Sequence, residues 1–382
     1  ASRTADFENM DFARPQREND SIAMSISTGE SNLIEAIIPL DRLLIGTSDN
    51  VFSLFGPNDG ILVPTPPPGA KRHVGRGIAQ PKPVVIGENA FYQPRVESGV
   101  RSLGYTFEVD GYKSSDVSIF APHLFQNRRI KRWAYQAEPV SVVWMVMDDG
   151  DVLAFTWEAE QQVWGFTEID LGGVALDVAA IPEGEESRVY FVVEREINGE
   201  TVRYVEILNR IKWSDFKLAS HLDCSRIYEF DEPVTEVTGL QHLEGETVGV
   251  LADGFSTTKV VADGAITVDE PASKFVVGLK FDAVIETMPL PPEPNKKITG
   301  EIYVEMIDSF DVFAGREEDN LELITTREEG SIGPPVPFTG VPDPARPDQV
   351  VDRNATIIVK QTSPYPLIVT AVHYGVEAKG RG

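Results

Sequence analysis

The stretch Val140–Ile169, VSVVWMVMDDGDVLAFTWEAEQQVWGFTEI, decides the fold. It reads as three short strands. VSVVWMVM and VLAFTW are apolar runs rich in β-branched and aromatic residues, and Asp149-Gly150 between them is a dipeptide that favours a tight hairpin. The polar segment Glu158–Gln162 makes the next turn, and VWGFTEI follows as the third strand.

The same punctuation extends in both directions. Leu33–Gly56 holds two short apolar runs split at Pro39 and Asp41, then a turn at Ser48–Asn50. Lys82–Val96 is a strand, a Gly-Glu-Asn turn and a strand. Ala175–Leu208 repeats the pattern, with turns at Pro182–Ser187 and at Asn198-Gly199. Turns recurring at roughly 8–12 residues indicate an all-β architecture. The strands group into Leu33–Leu54, Val84–Phe107, Val140–Phe166 and Val174–Leu208, and two- to four-stranded meanders repeated in this way are how propeller blades read. A β-sandwich reads similarly, and the repeated meander favours the propeller.

Helix is expected in one main place, Ser114–Gln136. Ser114 or Ser115 caps its first turn, Asp116 sits beside the positive end, and Pro122 limits its length. A second short helix is expected at Trp213–Leu222, capped by Ser214. Beyond it the composition shifts to Asp-Gly turns at Asp253-Gly254 and Asp263-Gly264, which suits a small β-domain over Val234–Glu286. A proline-rich connector, Met288–Lys297, leads to an alternating strand pair, a long Pro/Gly loop and two closing strands. The expected organisation is a mainly β chain: propeller-like antiparallel β meanders over 1–213, a small β-barrel or sandwich domain over 214–290, and C-terminal β strands with Pro-rich loops over 291–382.

Composition narrows function. With 60 acidic and 34 basic residues, the formal charge is −26. Such a surface disfavours tight nucleic-acid or anionic-lipid binding. No apolar run reaches the roughly 18 residues of a membrane-spanning helix, and the polar start ASRTADFENMDFARP lacks a signal-peptide core. One cysteine, Cys224, excludes an internal disulfide and a Cys-rich metal site. It reads as structural, and His221 three residues away does not make it a nucleophile.

Catalytic motifs are absent. The five histidines, at 73, 123, 221, 242 and 373, have no metal-ligand spacing. Asp170–Asp177 is not a calcium loop; the acid-rich Glu317–Gly330 is more readily a solvated turn than an ion site. Gly75-Arg76-Gly77 lacks the third glycine of a dinucleotide motif, and neither a Walker lysine nor a nucleophile elbow occurs. The charged set His123, Arg128, Arg129, Lys131, Arg132, Asp148, Asp149 and Asp151 resembles an active site only in composition, because Asp149-Gly150 has a structural reason to be there. Arg128, Arg129, Lys131 and Arg132 read as the one basic cluster of an acidic chain and as a candidate subunit interface. No catalytic, cofactor or metal residue is assigned, and the chain is read as a non-enzyme.

The ordered elements carry a resemblance. His123–Phe166 and Val189–Leu208 contain a His-Leu-Phe start, a downstream Pro and Val-Trp, an Asp-Gly hairpin, a Thr-Trp-x-x-Glu-Gln-like strand, an Ile-Asn-Gly hairpin and a Tyr-x-Glu ending. Together with Asn32–Gly56, Pro64-Thr65-Pro66, Leu243–Gly254 and Arg353–Ala378, they resemble the tail nozzle (tail tubular protein B-like) family of short-tailed bacteriophages. SRTADFENMDF at Ser2–Phe12 matches a segment that family members place after a further N-terminal region, so the resemblance implies a truncated, cleaved or divergent member. It implies a structural virion protein, made in the host bacterial cytoplasm and resident in the tail. Its copies would form a hexameric ring of propeller-like domains around a channel for DNA ejection. The implied partners are other copies of the chain, adjacent tail proteins, double-stranded DNA passing without tight binding, and the host cell surface. The alternative is a carbohydrate- or receptor-binding β-propeller, for which Trp133, Trp144, Trp157 and Trp164 are the aromatics of interest, although their strand positions suit a core.

Overall fold

The structure, a computed structural model, describes residues 1–26, 32–57, 60–96, 98–211, 213–289, 297–327, 330, 333–347, 351–352 and 356–378. Most of the proline-rich connector and parts of Glu317–Gly330 and of the Pro/Gly loop lie outside the described residues. Strand makes up 54% and helix 3%, so the chain is mainly β, in several antiparallel sheets. It divides into two compact units. One comprises 1–194 and 204–208; the other comprises 195–203 and 209–382.

The first unit is built from consecutive meanders. Strands β1 (Ile34–Pro39), β2 (Leu43–Thr47), β3 (Val51–Phe55) and β4 (Gly69–Val74) form one four-stranded sheet in chain order. Strands β5 (Val84–Ile86), β6 (Asn89–Tyr92), β7 (Arg101–Thr106) and β8 (Gly111–Asp116) form the second. Strands β9 (Ile130–Gln136), β10 (Val142–Met147), β11 (Val152–Glu158) and β12 (Val163–Ile169) form the third. Strands β13 (Val174–Glu183), β14 (Glu186–Ile197) and β15 (Glu200–Ile207) form a three-stranded fourth.

These sheets stack through shared cores, and the pleat explains how. Successive side chains of a strand point to opposite faces. On β6, Ala90 and Tyr92 join a core with Ile38, Leu44 and Val51 of the first sheet. Phe91, between them, joins a core with Val143, Met145 and Phe155 of the third. On β10, Val142, Trp144 and Val146 turn the other way, to Val178, Val189 and Phe191 of the fourth sheet. All six β10 residues are therefore buried, which is why the run is apolar throughout instead of alternating.

The expected helix over Ser114–Gln136 does not form. Ser114–Asp116 ends β8, Pro122–Phe125 is a single 3-10 turn, and Ile130–Gln136 is β9. Strand β9 pairs with β10 in the register Ala134↔Trp144 and Trp133↔Met145. Pro122 breaks the segment, and Ile130, Trp133 and Tyr135 gain more by packing on the sheet than as a solvated helix. Trp213–Leu222 is likewise a run of turns. Its Asp215 Oδ1 accepts the Lys217 N–H at 3.2 Å, a local bond that competes with helix.

Turn chemistry follows the expected dipeptides. Asn198-Gly199, Asp253-Gly254 and Asp263-Gly264 have both residues at positive φ, from +47° to +91°. That conformation matches strand twist and is tolerated by Asn, Asp and Gly.

In the second unit, β16 (Asp223–Thr238), β17 (Thr247–Ala252), β18 (Phe255–Val260) and β19 (Ala265–Leu279) form a sheet in the order β16-β19-β17-β18. Strand β20 (Ala283–Glu286) pairs instead with β26 (Ile358–Gln361), beside β22 (Val312–Glu317) and β23 (Asn320–Ile324). Strand β21 (Lys297–Ser309) pairs with β24 (Phe338–Gly340), β25 (Val351–Asp352) and β27 (Val369–Ala378). Ile302, Val304 and Met306 of β21 meet Val312, Ala314 and Val359 of the neighbouring sheet in one core.

Candidate functional site

The charged cluster around the β10–β11 hairpin is organised around one guanidinium. Arg128 precedes β9, and its side chain is only 15% exposed. Its Nε lies 2.6 Å from Asp149 Oδ2, its Nη1 3.2 Å from Glu168 Oε1, and its Nη2 pairs with Asp151. Gly150 (φ +94°) makes the turn that brings Asp149 and Asp151 to the same cation. Asp151 is held above the usual carboxylate range by burial and by Asp149, with Arg128 opposing. The three carboxylates enclose a cation, and the cluster ties the segment before β9 to β12 and to the β10–β11 hairpin.

This arrangement divides the candidate interface residues. Arg128 is engaged inside the chain. Arg129 donates from Nη2 to the Arg95 carbonyl at 3.1 Å and from its backbone N–H to Asp148 Oδ1 at 3.0 Å. Lys131 is exposed. Arg132 Nε lies 3.9 Å from Asp177 Oδ1, with both side chains more than half exposed. Arg129, Lys131 and Arg132 thus remain at the surface.

Of the tryptophans, Trp144 is buried and donates its Nε1 to Gln136 Oε1 at 3.0 Å. Trp133 and Trp157 pack on the core shared by the second and third sheets. Trp164 is 46% exposed beside Trp157. Trp144 belongs to a different core from Trp133 and Trp157. His221 stacks on Phe281, and burial holds it below its ordinary pKa; Cys224 is half-buried at φ +47°. Among the described residues, no group of three or more His, Cys, Asp or Glu is placed to hold a metal ion.

A second basic cluster lies where β4 approaches β8. An open cleft of about 550 Å³ is lined by Lys71, Arg72, Arg76, Arg101 and Lys113, with no Asp or Glu among its lining residues. The reading of Arg128–Arg132 as the one basic cluster is therefore corrected. The local run Lys71-Arg72-His73-Val74-Gly75-Arg76 was visible in the sequence, but Arg101 and Lys113 join it only through the meeting of two sheets.

His73 joins the two sheets beneath these cations. Its Nδ1 accepts the Tyr112 backbone N–H at 3.2 Å, and its Nε2 lies 2.7 Å from Ser53 Oγ. An accepting Nδ1 places the proton of the neutral ring on Nε2, which donates to Ser53. Burial, then the charges of Lys71 and Arg42, hold His73 below its ordinary pKa. Gly111 makes room: a Cβ there would sit 2.8 Å from His73 Nδ1. The Ser53–His73 pair is not a nucleophile and base. Ser53 is fully buried, and the far ring nitrogen meets a backbone N–H instead of a carboxylate. The cationic side chains are partly held in place: Arg101 Nε donates to Ser114 Oγ at 2.9 Å, and Lys71 Nζ to the Asp110 carbonyl at 2.9 Å. Among the described residues, Arg72 and Lys113 are exposed and have no ion-pair partner.

Compared with known proteins, the chain matches no family model and no curated sequence.

Proposed function

We propose that the chain is a structural component of a short-tailed phage tail, a nozzle or tail-tube subunit. Copies of it assemble into a ring around the channel for DNA ejection and join neighbouring tail proteins. The observation that carries this reading is the stack of consecutive meanders, three of four strands and one of three, each sharing a core with the next. Successive meanders stacked in this way are how propeller blades are arranged, and we read the first unit as propeller-like. The ordered motifs fall on defined elements of the chain: His123–Phe125 on the 3-10 turn, Asp149-Gly150 and Asn198-Gly199 on hairpin tips.

In this role the protein works by shape and charge, without chemistry of its own. A channel wall carrying the dominant negative charge lets duplex DNA pass without adhering, because like charges disfavour close contact. Arg129, Lys131 and Arg132 suit a subunit seam against a neighbour's carboxylates. Exposed pairs contribute only about 0–1 kcal/mol each, so such a seam sets register more than affinity. The protein is made in the host bacterial cytoplasm, resides in the virion tail and meets the host surface at ejection.

Light scattering over a wide concentration range tests the reading. A hexamer mass, with no retention of duplex DNA at physiological salt, supports it. The mass of a single copy at every concentration, or tight duplex binding, rejects it.

A further inference from the structure

The cleft between β4 and β8 inverts the charge of the molecule. In a chain with 60 acidic and 34 basic residues, its wall carries five cations and no carboxylate. We propose that this cleft is a binding site for a compact, multiply charged phosphate compound, of the oligophosphate or sugar-phosphate class. This assignment is independent of ring assembly.

The fold itself does not call for the cluster. Arg72 and Lys113 line the cleft, are exposed and have no ion-pair partner among the described residues. Arg101 is paired with Asp116 at 3.9 Å, so Arg72 and Lys113 are the cations that a bound polyanion would neutralise. Arginine forks and lysine ammonium groups together match phosphoryl oxygens. The hydroxyl of Ser114 adds a polar group to the same wall, and the Ser114 contacts that fix Arg101 reduce the ordering cost of binding. Apolar side chains are few there, chiefly Val74 and Val109, which argues against an apolar ligand.

Size and field select the ligand further. About 550 Å³ lies within the roughly 300–1,000 Å³ of small-molecule sites. A docking patch for another protein takes roughly 20–30 residues on each partner, against the 12 that line this cleft. A long duplex would extend beyond the cleft over a chain whose formal charge is −26. A compact anion sits inside the local positive field, within a screening length of about 8 Å at physiological salt.

Isothermal titration of the whole chain with sodium tripolyphosphate, at an ionic strength of about 0.15 M, tests the proposal. Saturable one-to-one binding is expected. Arg72→Glu and Lys113→Glu should each weaken it by about tenfold or more, equivalent to about 1.4 kcal/mol, while Arg132→Glu leaves it unchanged. Both cleft residues are exposed, so unaltered thermal unfolding is expected, and circular dichroism checks it. Absence of saturable tripolyphosphate binding, or equal binding by all three variants, overturns the proposal. So does a result in which the cleft variants change only self-association, which would make the cleft a contact between copies.

Discussion

Trp144 and Met145 are neighbours on β10, both are buried, and they belong to different cores. Trp144 packs edge-on against Phe191 of the fourth sheet at 5.8 Å. Met145, fully buried, packs with the residues of the second and third sheets. A strand buried on both faces marks a sheet in the interior of a stack, and this one relationship places β9–β12 between two others.

The stack makes β10 sensitive to truncation. Met145→Ala is expected to destabilise the first unit by about 2–5 kcal/mol, the range for a buried large-to-small change. Val163→Thr, at a 55% exposed position on β12, is expected to stay within about 0.5 kcal/mol. Urea unfolding followed by tryptophan fluorescence measures both. Equal effects would mean that the third sheet is not sandwiched.

Gly111 is required by the His73 ring. Gly111→Ala places a methyl 2.8 Å from Nδ1, and the ring cannot yield without losing its Ser53 or Tyr112 bond. A loss of about 1–3 kcal/mol is expected. Gly165, with nothing within 4 Å of a Cβ, is the control, and its change to Ala should be close to neutral. Thermal unfolding of the two variants decides the point.

His73 also sets a pH dependence. Its folded pKa lies below the ordinary 6.5, so the unfolded chain binds more protons between the two values and stability rises with pH there. The contribution is complete above the unfolded value and is lost as pH falls through the folded one. His221, depressed by burial, acts in the same direction, so a variant is needed to isolate His73. The stability difference between wild type and His73→Asn is expected to shrink as pH falls from about 8 to about 5. A difference that is constant with pH would contradict the neutral-ring assignment.

Arg128 is the counter-charge for three carboxylates. Arg128→Gln leaves Asp149, Asp151 and Glu168 facing one another. Because these acids are about half exposed, the expected loss is moderate, about 1–2 kcal/mol, between surface and buried pairs. Added salt should restore part of that loss by screening the repulsion. Melting of the variant over a salt series checks both, and a variant insensitive to salt would argue against the cage.

The legible part of this fold lay in its turns. Asn198-Gly199 and Asp253-Gly254 demand positive φ, and few other residue pairs satisfy it, so those hairpins could be read locally. Strand β9 could not. Its basic residues and the preceding Pro122 masked a strand whose stability comes from pairing with β10, nonlocal in kind. Strand β4, GAKRHV, has almost no apolar alternation because it is an edge strand facing solvent. The basic cleft was hidden for the same reason, since β4 and β8 are far apart in sequence. The candidate interface was legible as a charge run, but not the capture of Arg128 by Asp149, Asp151 and Glu168.

Electron microscopy of the purified chain tests the central claim most directly. Class averages should show closed rings of six copies around an axial channel, whose wall in the reconstruction carries mostly Asp and Glu. Particles without rotational symmetry at every concentration, or a ring whose channel wall is basic, would contradict it.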